Sequence, residues 1–243
     1  MSGILGMMFS GRMGTLTLDI SNKVNPNIVS LLTAAGWAGL SHPVVLINNG
    51  LVNTLDIPAS MHGTDLTLIN AASCRIGGVY GGASGKDGGT ALRTRAAIKI
   101  QNLGILSGGG GQGGRGGGAW VRRGTSYANA QGGIGGDGQG FNPGALTIAA
   151  EEPGNSGGTS TIPLEGSWGP GTGRGAAYAY GGSSGNGRGW GQNGSSGSYG
   201  QTSGDYDSRG LSAPSSGGLA GFYVDGNSYV TWLATGTRLG RVQ

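Results

Sequence analysis

Residues Gly108 to Gly118 read GGGGQGGRGGG, nine glycines in eleven positions. Glycine buries no side chain and loses the most conformational freedom on folding, so such a run ordinarily marks a linker or a disordered tract. Its spacing points elsewhere. Gly108, Gly111, Gly114 and Gly117 fall three apart, as do Gly82, Gly85 and Gly88, then Gly132, Gly135 and Gly138, then Gly191, Gly194, Gly197 and Gly200. A polyproline II helix has three residues per turn and no internal hydrogen bonds, so glycine at every third position clears one side for a neighbouring backbone. The runs are too short for collagen, and proline is scarce, with 8 residues in 243. The spacing therefore predicts a bundle of antiparallel, glycine-rich polyproline II rods. Segments 108–118, 132–140 and 191–200 should be extended, packed together and outside regular helix or strand. Lateral N–H to C=O bonds and Cα–H to O contacts would then replace a side-chain core.

The rival reading takes Gly/Ser/aromatic sequence such as GGSSGNGRGWGQNGSSGSYGQ (Gly181 to Gln201) as a sticky disordered segment of the kind that engages RNA. Composition opposes it. Charged residues make up 11 % and hydrophobic residues 36 %, whereas disordered chains combine low hydrophobicity with high net charge. The net charge of +4 is scattered, without a Lys/Arg block, so no nucleic-acid partner is expected. The single cysteine, Cys74, excludes an internal disulfide framework and a multi-cysteine metal site. The opening MSGILGMMFSGRMG is apolar without a basic n-region, and no stretch reaches membrane-spanning length; it reads as a docking tag.

Composition divides the chain into three zones, 1–76, 77–218 and 219–243. The first is a small β-unit, with strand alternation at Thr15 to Ile20, Val44 to Gly50 and Asp65 to Ile69. It contains one short helix, predicted to have Asn25 as N-cap, Pro26 in the first turn and Gly36 just past its end. The second is the glycine-rich body. The third carries Asp225-Gly226-Asn227 between Phe222–Val224 and Tyr229–Leu233, which predicts a terminal β-hairpin. The expected fold class is thus mainly irregular and β, a glycine-rich polyproline II bundle between a β-unit with one helix and a hairpin.

Enzymatic motifs fail on inspection. The pattern G-x-S-x-G surrounds Ser156 and Ser183, but in so glycine-rich a chain chance produces it, and His42 and His62 both precede the serines where a lipase-type base follows them. Gly85-Lys86 is followed by Asp87 rather than the Ser or Thr of a phosphate loop. Glu151, Glu152, Glu165, Asp205 and Asp207 are the remaining route to glycan hydrolysis and read better as solvated turn residues. His42 and His62 lack metal-ligand spacing, and no cofactor is implied.

Aromatics are more informative. Trp120, Tyr127, Phe141, Trp168, Tyr178, Tyr180, Trp190, Tyr199 and Tyr206 sit in or beside breaks between glycine runs, with Arg122, Arg123, Arg174, Arg188 and Arg209 nearby. Tyr and Trp give large rigid contact area at low entropy cost, and Gly/Ser/Asn loops around them share the composition of antibody paratopes. The bland alternative is that some of them, Trp168 and Trp190 first, cap bundle ends. On the binding reading, Arg123→Ala or Tyr180→Ala weakens binding without changing the melting temperature.

Glycine runs alternating with aromatic loops, in GILSGGGGQGGRGGGAW (Gly104 to Trp120), GGIGGDGQG (Gly132 to Gly140) and GQNGSSGSYG (Gly191 to Gly200), resemble the tip adhesins of T-even-type phage long tail fibres. The ends, LDISNKVNPNIVSLLTAAGW (Leu18 to Trp37) and YVDGNSYVTWLATGTRLGRV (Tyr223 to Val242), are similar to segments of a wider set of phage tail proteins. The resemblance implies a polyglycine II-type helix sandwich whose loops bind a bacterial surface receptor. It also implies a non-enzymatic receptor-binding protein at a tail tip or fibre, recognising an outer-membrane protein or surface glycan. The proposed contact set is Trp120, Arg122, Arg123, Tyr127, Trp168, Tyr178, Tyr180, Trp190, Tyr199 and Tyr206. The N-terminal part departs from the T-even pattern, so 1–76 is expected to serve attachment or assembly, either as a homotrimer or on another fibre protein. A tail-associated glycan depolymerase and an ice-binding polyproline II protein are the alternatives from other classes.

Overall fold

The computed structural model describes residues 14–82, 85–163 and 175–243. Two five-stranded sheets and one four-stranded sheet are assembled from both ends of the chain. The first stacks Leu16–Asp19, Val44–Asn48, Leu66–Asn70, Ile98–Asn102 and Val230–Ala234 in that order. The second stacks Lys23–Val24, Leu51–Asn53, Arg75–Gly77, Ile105–Ser107 and Thr237–Leu239; the third stacks Leu55–Ile57, Leu92–Thr94, Phe222–Asp225 and Arg241–Val242. Every pairing in these sheets is parallel. The chain visits the faces in rotation, which makes a three-sided parallel β-solenoid.

Alternation in each strand turns one row of side chains inward, and in-register stacking makes that row continuous from coil to coil. Leu18, Leu46, Leu68, Ile100 and Trp232 form one such column, and Val52, Ile76 and Leu106 another. At the corner between the first two faces, fully buried asparagines form a ladder. Asn48 Nδ2 donates to Asn70 Oδ1 at 2.8 Å, Asn70 Nδ2 to Asn102 Oδ1 at 2.7 Å, and Asn102 Nδ2 to the Thr235 carbonyl at 2.8 Å. Each amide satisfies the next, so the corner is polar without leaving these groups orphaned.

The helix Ile28–Ala34 packs Ile28 and Leu32 against the first coil. Asn27 caps it, its Oδ1 accepting from Ser30 N at 3.0 Å, rather than Asn25. Asn25 still pairs with the solenoid, donating its N–H to the Asn53 carbonyl at 2.7 Å, so the helix begins later than predicted. Gly36 lies just past the helix at φ +88°, as expected.

The predicted terminal hairpin does not form. Phe222–Asp225 and Val230–Ala234 belong to different faces and pair in parallel with Leu92–Thr94 and Ile98–Asn102. Asp225-Gly226-Asn227 makes a solenoid corner, with Gly226 at φ +102°. A left-handed glycine between two alternating strands suits a corner as well as a tight turn, and the paired strands lie more than a hundred residues earlier in the chain.

The glycine-rich segments leave the solenoid between its second and third faces, at 78–91 and again at 108–221. Segment 108–118 lies at the centre of a lattice without helix or strand. Its N–H groups address neighbours in rotation. Gly110, Gly113 and Gly116 donate to the carbonyls of Gln139, Gly136 and Gly133; Gly111, Gly114 and Gly117 to those of Gln192, Ser195 and Ser198; Gly109 and Gln112 to those of Gly89 and Lys86. In return, the carbonyls of Gly111, Gly114 and Gly117 accept from Arg188, Gly185 and Gly182, and those of Gly109, Gln112 and Arg115 from Gly221, Gly218 and Ser215. Glycine is required by close approach: a Cβ at Gly110, Gly113 or Gly116 would collide with the carbonyls of Arg188, Gly185 or Gly182, and one at Gly111, Gly114 or Gly117 with those of Gly218, Ser215 or Ser212. In the remaining row a Cβ at Gly109 would likewise meet the Val79 carbonyl, and side chains appear only at its middle positions, Gln112 and Arg115.

The lattice segments run directly into two three-stranded antiparallel sheets at the end remote from the solenoid. One orders Ser126–Ala130, Ala119–Arg123 and Ser208–Leu211; the other Thr159–Ile162, Ala177–Tyr180 and Gln201–Gly204. They enclose Ala119, Val121, Ala128, Ala130, Ile162, Ala177 and Ala179.

Candidate functional site

The topology gives the glycine-rich region two unlike ends. At the near end Trp190 is buried, edge-on to Phe141 with ring centroids 5.5 Å apart, and the Arg75 guanidinium lies 4.4 Å from its centroid. Asn53 of the solenoid donates to the carbonyls of Asn142 at 3.1 Å and Ala145 at 2.6 Å. Burial draws the Arg75 guanidinium below its ordinary pKa, and its Nη1 donates to Ser107 Oγ at 2.9 Å. Trp190 thus joins the glycine lattice to the solenoid and is withdrawn from the predicted contact set, because its ring has no free face to offer.

At the far end, chain segments between strands emerge together. Gly124 N–H donates to the Asp207 carboxylate at 2.7 Å, and Asp207 N–H to the Arg122 carbonyl at 2.9 Å, which ties the 124–125 turn to the 205–207 turn. Arg122 is exposed, with Nε donating to the Gly124 carbonyl at 2.9 Å. Arg123 alternates inward and is only 2 % exposed, its guanidinium donating to the carbonyls of Pro163 and Gly175. Because the inward face of the strand claims it, Arg123 is corrected from a contact residue to a positioning residue. Tyr206 is half-buried against the alanine core, with Arg209 5.7 Å over its ring. Trp168, Arg174 and Glu165 lie outside the described residues.

Along the flanks of the distal sheets, Trp120 and Tyr127 stand on one outer face, and Tyr178 and Tyr180 on the other. Tyr127 is 57 % exposed and Tyr180 37 %, while Tyr199, at the end of its glycine run, is 63 % exposed. The structure therefore brings Tyr206 to the tip, Arg122 and its cross-strand partner Tyr127 to the rim where the tip meets the outer face, Trp120, Tyr178 and Tyr180 to the sides, and Tyr199 below them. Sequence reading missed the buried asparagine ladder and the Arg75–Trp190 junction. A signal for the ladder was present, since asparagine closes each inward strand in LINNG, LINAAS and IQNLG.

Among the described residues, the glutamates and the aspartates of the candidate glycan-hydrolysis set lie at opposite ends. Glu151 and Glu152 are at the near end, Asp205 and Asp207 at the tip. Among the described residues no three His, Cys, Asp or Glu side chains come together in a metal-binding group, and no helix is long and apolar enough to cross a membrane.

The model of the phage tail fibre adhesin Gp38 family matches residues 15–243. The chain belongs to that family. One solved structure, the crystal structure of the gp37-gp38 adhesin tip complex of the bacteriophage S16 long tail fiber, is similar at 20 % identity and a TM-score of 0.48, covering 96 % of this chain and 84 % of that one. No curated protein matches. Family membership places the adhesin on the tail fibre of a phage virion.

Proposed function

We propose that this adhesin is the receptor-binding element of its fibre: the β-solenoid attaches it, the glycine lattice holds the tip away from the attachment, and the tip contacts an outer-membrane protein or a surface glycan without catalysis. The observation that carries this reading is the division of ends, with the turns at 124–125 and 205–207 gathered where no solenoid strand reaches. The lattice segments are read as polyglycine II-type rods; donors rotating through neighbours with period three and carbonyl contacts that forbid a Cβ support this. Ordering the tip before contact lowers the entropy cost of binding.

Attachment is assigned to the last solenoid coil, where Leu233, Leu239 and Val242 are exposed along strands that have no outer neighbour among the described residues. Such edges need covering. The similar structure is a complex of gp38 with gp37, which supports a second fibre protein as the occupant; two further copies of this chain are the other candidate. Light scattering of the isolated protein separates them, a trimer excluding a purely heterologous attachment.

The receptor reading is tested by adsorption of labelled protein to a bacterial panel. Arg122→Glu combined with Tyr206→Ala should reduce adsorption to a susceptible host at least tenfold while the solenoid and lattice remain folded. Undiminished adsorption would remove the tip from the contact.

A further inference from the structure

The distal sandwich is inverted in size. Its interior is mostly alanine, yet its outer faces carry Trp120, Tyr127, Tyr178 and Tyr180. Aromatic side chains bring the largest gain on burial, so sheets shaped for stability alone would turn them inward. Here the alternation in AWVRR, SYANA and AYAY turns alanines in and aromatics out.

Both faces carry a pair of rings, set diagonally across two strands on the first and along a single strand on the second. On the first, Trp120 lies between Asn129 and Gly210, and its indole covers Gly210, where a Cβ would run into Nε1 and the fused ring edge. Glycine there lets the indole lie down on the sheet. The Tyr127 ring stands 5.7 Å from it at 27°, and Arg122 is its cross-strand neighbour. On the second face, Tyr178 and Tyr180 are 6.0 Å apart at 14°. Thr161 and Ser203 flank Tyr178, and Thr159 and Gln201 flank Tyr180, all on the outward row.

Each face therefore presents a stacked pair of near-parallel rings, Tyr127 and Tyr180 being the more exposed member of each, bordered one strand spacing away by hydroxyl, amide or guanidinium groups. A pyranose has the matching shape: a flat face of weakly positive C–H groups for the electron-rich ring face, and a rim of hydroxyls for the flanking polar side chains. We infer that the two outer faces of the distal sandwich are pyranose-stacking subsites for oligosaccharides of the host surface. This rests on the adhesin reading above and gives it a ligand class. The tip turns meet the receptor end-on, while the faces engage sugars alongside a sandwich that has entered the glycan layer.

The test is saturation-transfer NMR of the intact protein with core oligosaccharides released from lipopolysaccharide of an adsorbing strain, run beside cell adsorption. The expected result is transfer to sugar ring C–H protons. Trp120→Ala with Tyr180→Ala should reduce it at least tenfold, and Tyr180→Phe, which keeps the ring, should retain it relative to Tyr180→Ala. Should Trp120→Ala fail to fold, Tyr180→Ala and Tyr180→Phe on the other sheet carry the same comparison. A protein that adsorbs to cells but shows no transfer, or transfer indifferent to ring removal, overturns the pyranose assignment and leaves the adhesin reading standing. Ring variants that lose adsorption when the parent protein shows no sugar transfer assign the faces to a protein receptor, which also overturns it. Sugar transfer without adsorption to any strain overturns the adhesin reading instead.

Discussion

Arg123 shows how one residue can be read correctly for chemistry and wrongly for place. Next to Arg122 in sequence, it looks like half of a basic pair reaching for a ligand, but strand alternation separates them. Arg122 goes to solvent and Arg123 to the interior, where it holds the Pro163 and Gly175 carbonyls from either side of the intervening connection. Replacing it with alanine orphans those carbonyls, and hydrogen bonds to charged groups are worth about 1.5–3 kcal/mol. Arg123→Ala should thus lower the melting temperature by about 5 °C, readable by calorimetry, and Arg123→Lys should not restore it, because an ammonium lacks the planar fork that addresses two acceptors. A variant with parental stability would return Arg123 to the contact surface. Trp190 stood between two readings, contact residue and bundle-end cap, and the packing of Arg75 and Phe141 around it at the near end agrees with the cap.

The individual segments were more legible than their partners. The three-residue glycine period singled out segments that lie outside helix and strand and hydrogen-bond to one another, because steric exclusion of Cβ is a local property the sequence records directly. Strands Leu16–Asp19, Val44–Asn48 and Leu66–Asn70 were visible from alternation. Their parallel stacking was not, since period two says which side is buried and nothing about which neighbour lies beside it. The asparagine spacing, 22 residues from Asn48 to Asn70 and 32 from Asn70 to Asn102, was the clue to coils, and the glycine insertion hides the last repeat 133 residues further on at Thr235. The lattice itself makes a position-specific prediction. Gly114→Val should prevent cooperative folding or lower the melting temperature sharply, because its Cβ meets the Ser215 carbonyl, whereas Arg115→Val, at an exposed position that already carries a side chain, should leave stability nearly unchanged. Equal outcomes in thermal denaturation would contradict the lattice geometry.

The whole molecule depends on returning the chain to the solenoid after its long excursion, and Asp225 helps to fasten that return. Its Oδ2 accepts from Arg95 Nη2 at 3.0 Å and Arg93 Nε at 3.3 Å, linking the strand Phe222–Asp225 to Leu92–Thr94. The hydrogen bond from Arg95, with its charge and that of Arg93, holds the Asp225 carboxyl below its ordinary value. A depressed folded-state pKa contributes stability above the unfolded value of about 3.9 that is lost as pH falls through the folded value. Asp225→Asn should therefore melt earlier than the parent at pH 7, and the gap should close as the pH is taken below about 4. A gap that is independent of pH would mean the carboxylate charge is not what matters there.

A fibre tip bound to a cell is pulled by everything behind it. On the proposed division into tip and attachment, the load would run along the glycine segments, with the hydrogen bonds of the lattice lying across that direction. Gly113 N to Gly136 O at 2.9 Å, Gly114 N to Ser195 O at 2.8 Å and their counterparts in every turn are strained together rather than one after another. Drawing one segment out means sliding it past several neighbours at once, like a strand in a tightly laid rope. A region almost without side chains is in this way suited to bear tension, and a tip held so can stay engaged while the particle behind it is still moving.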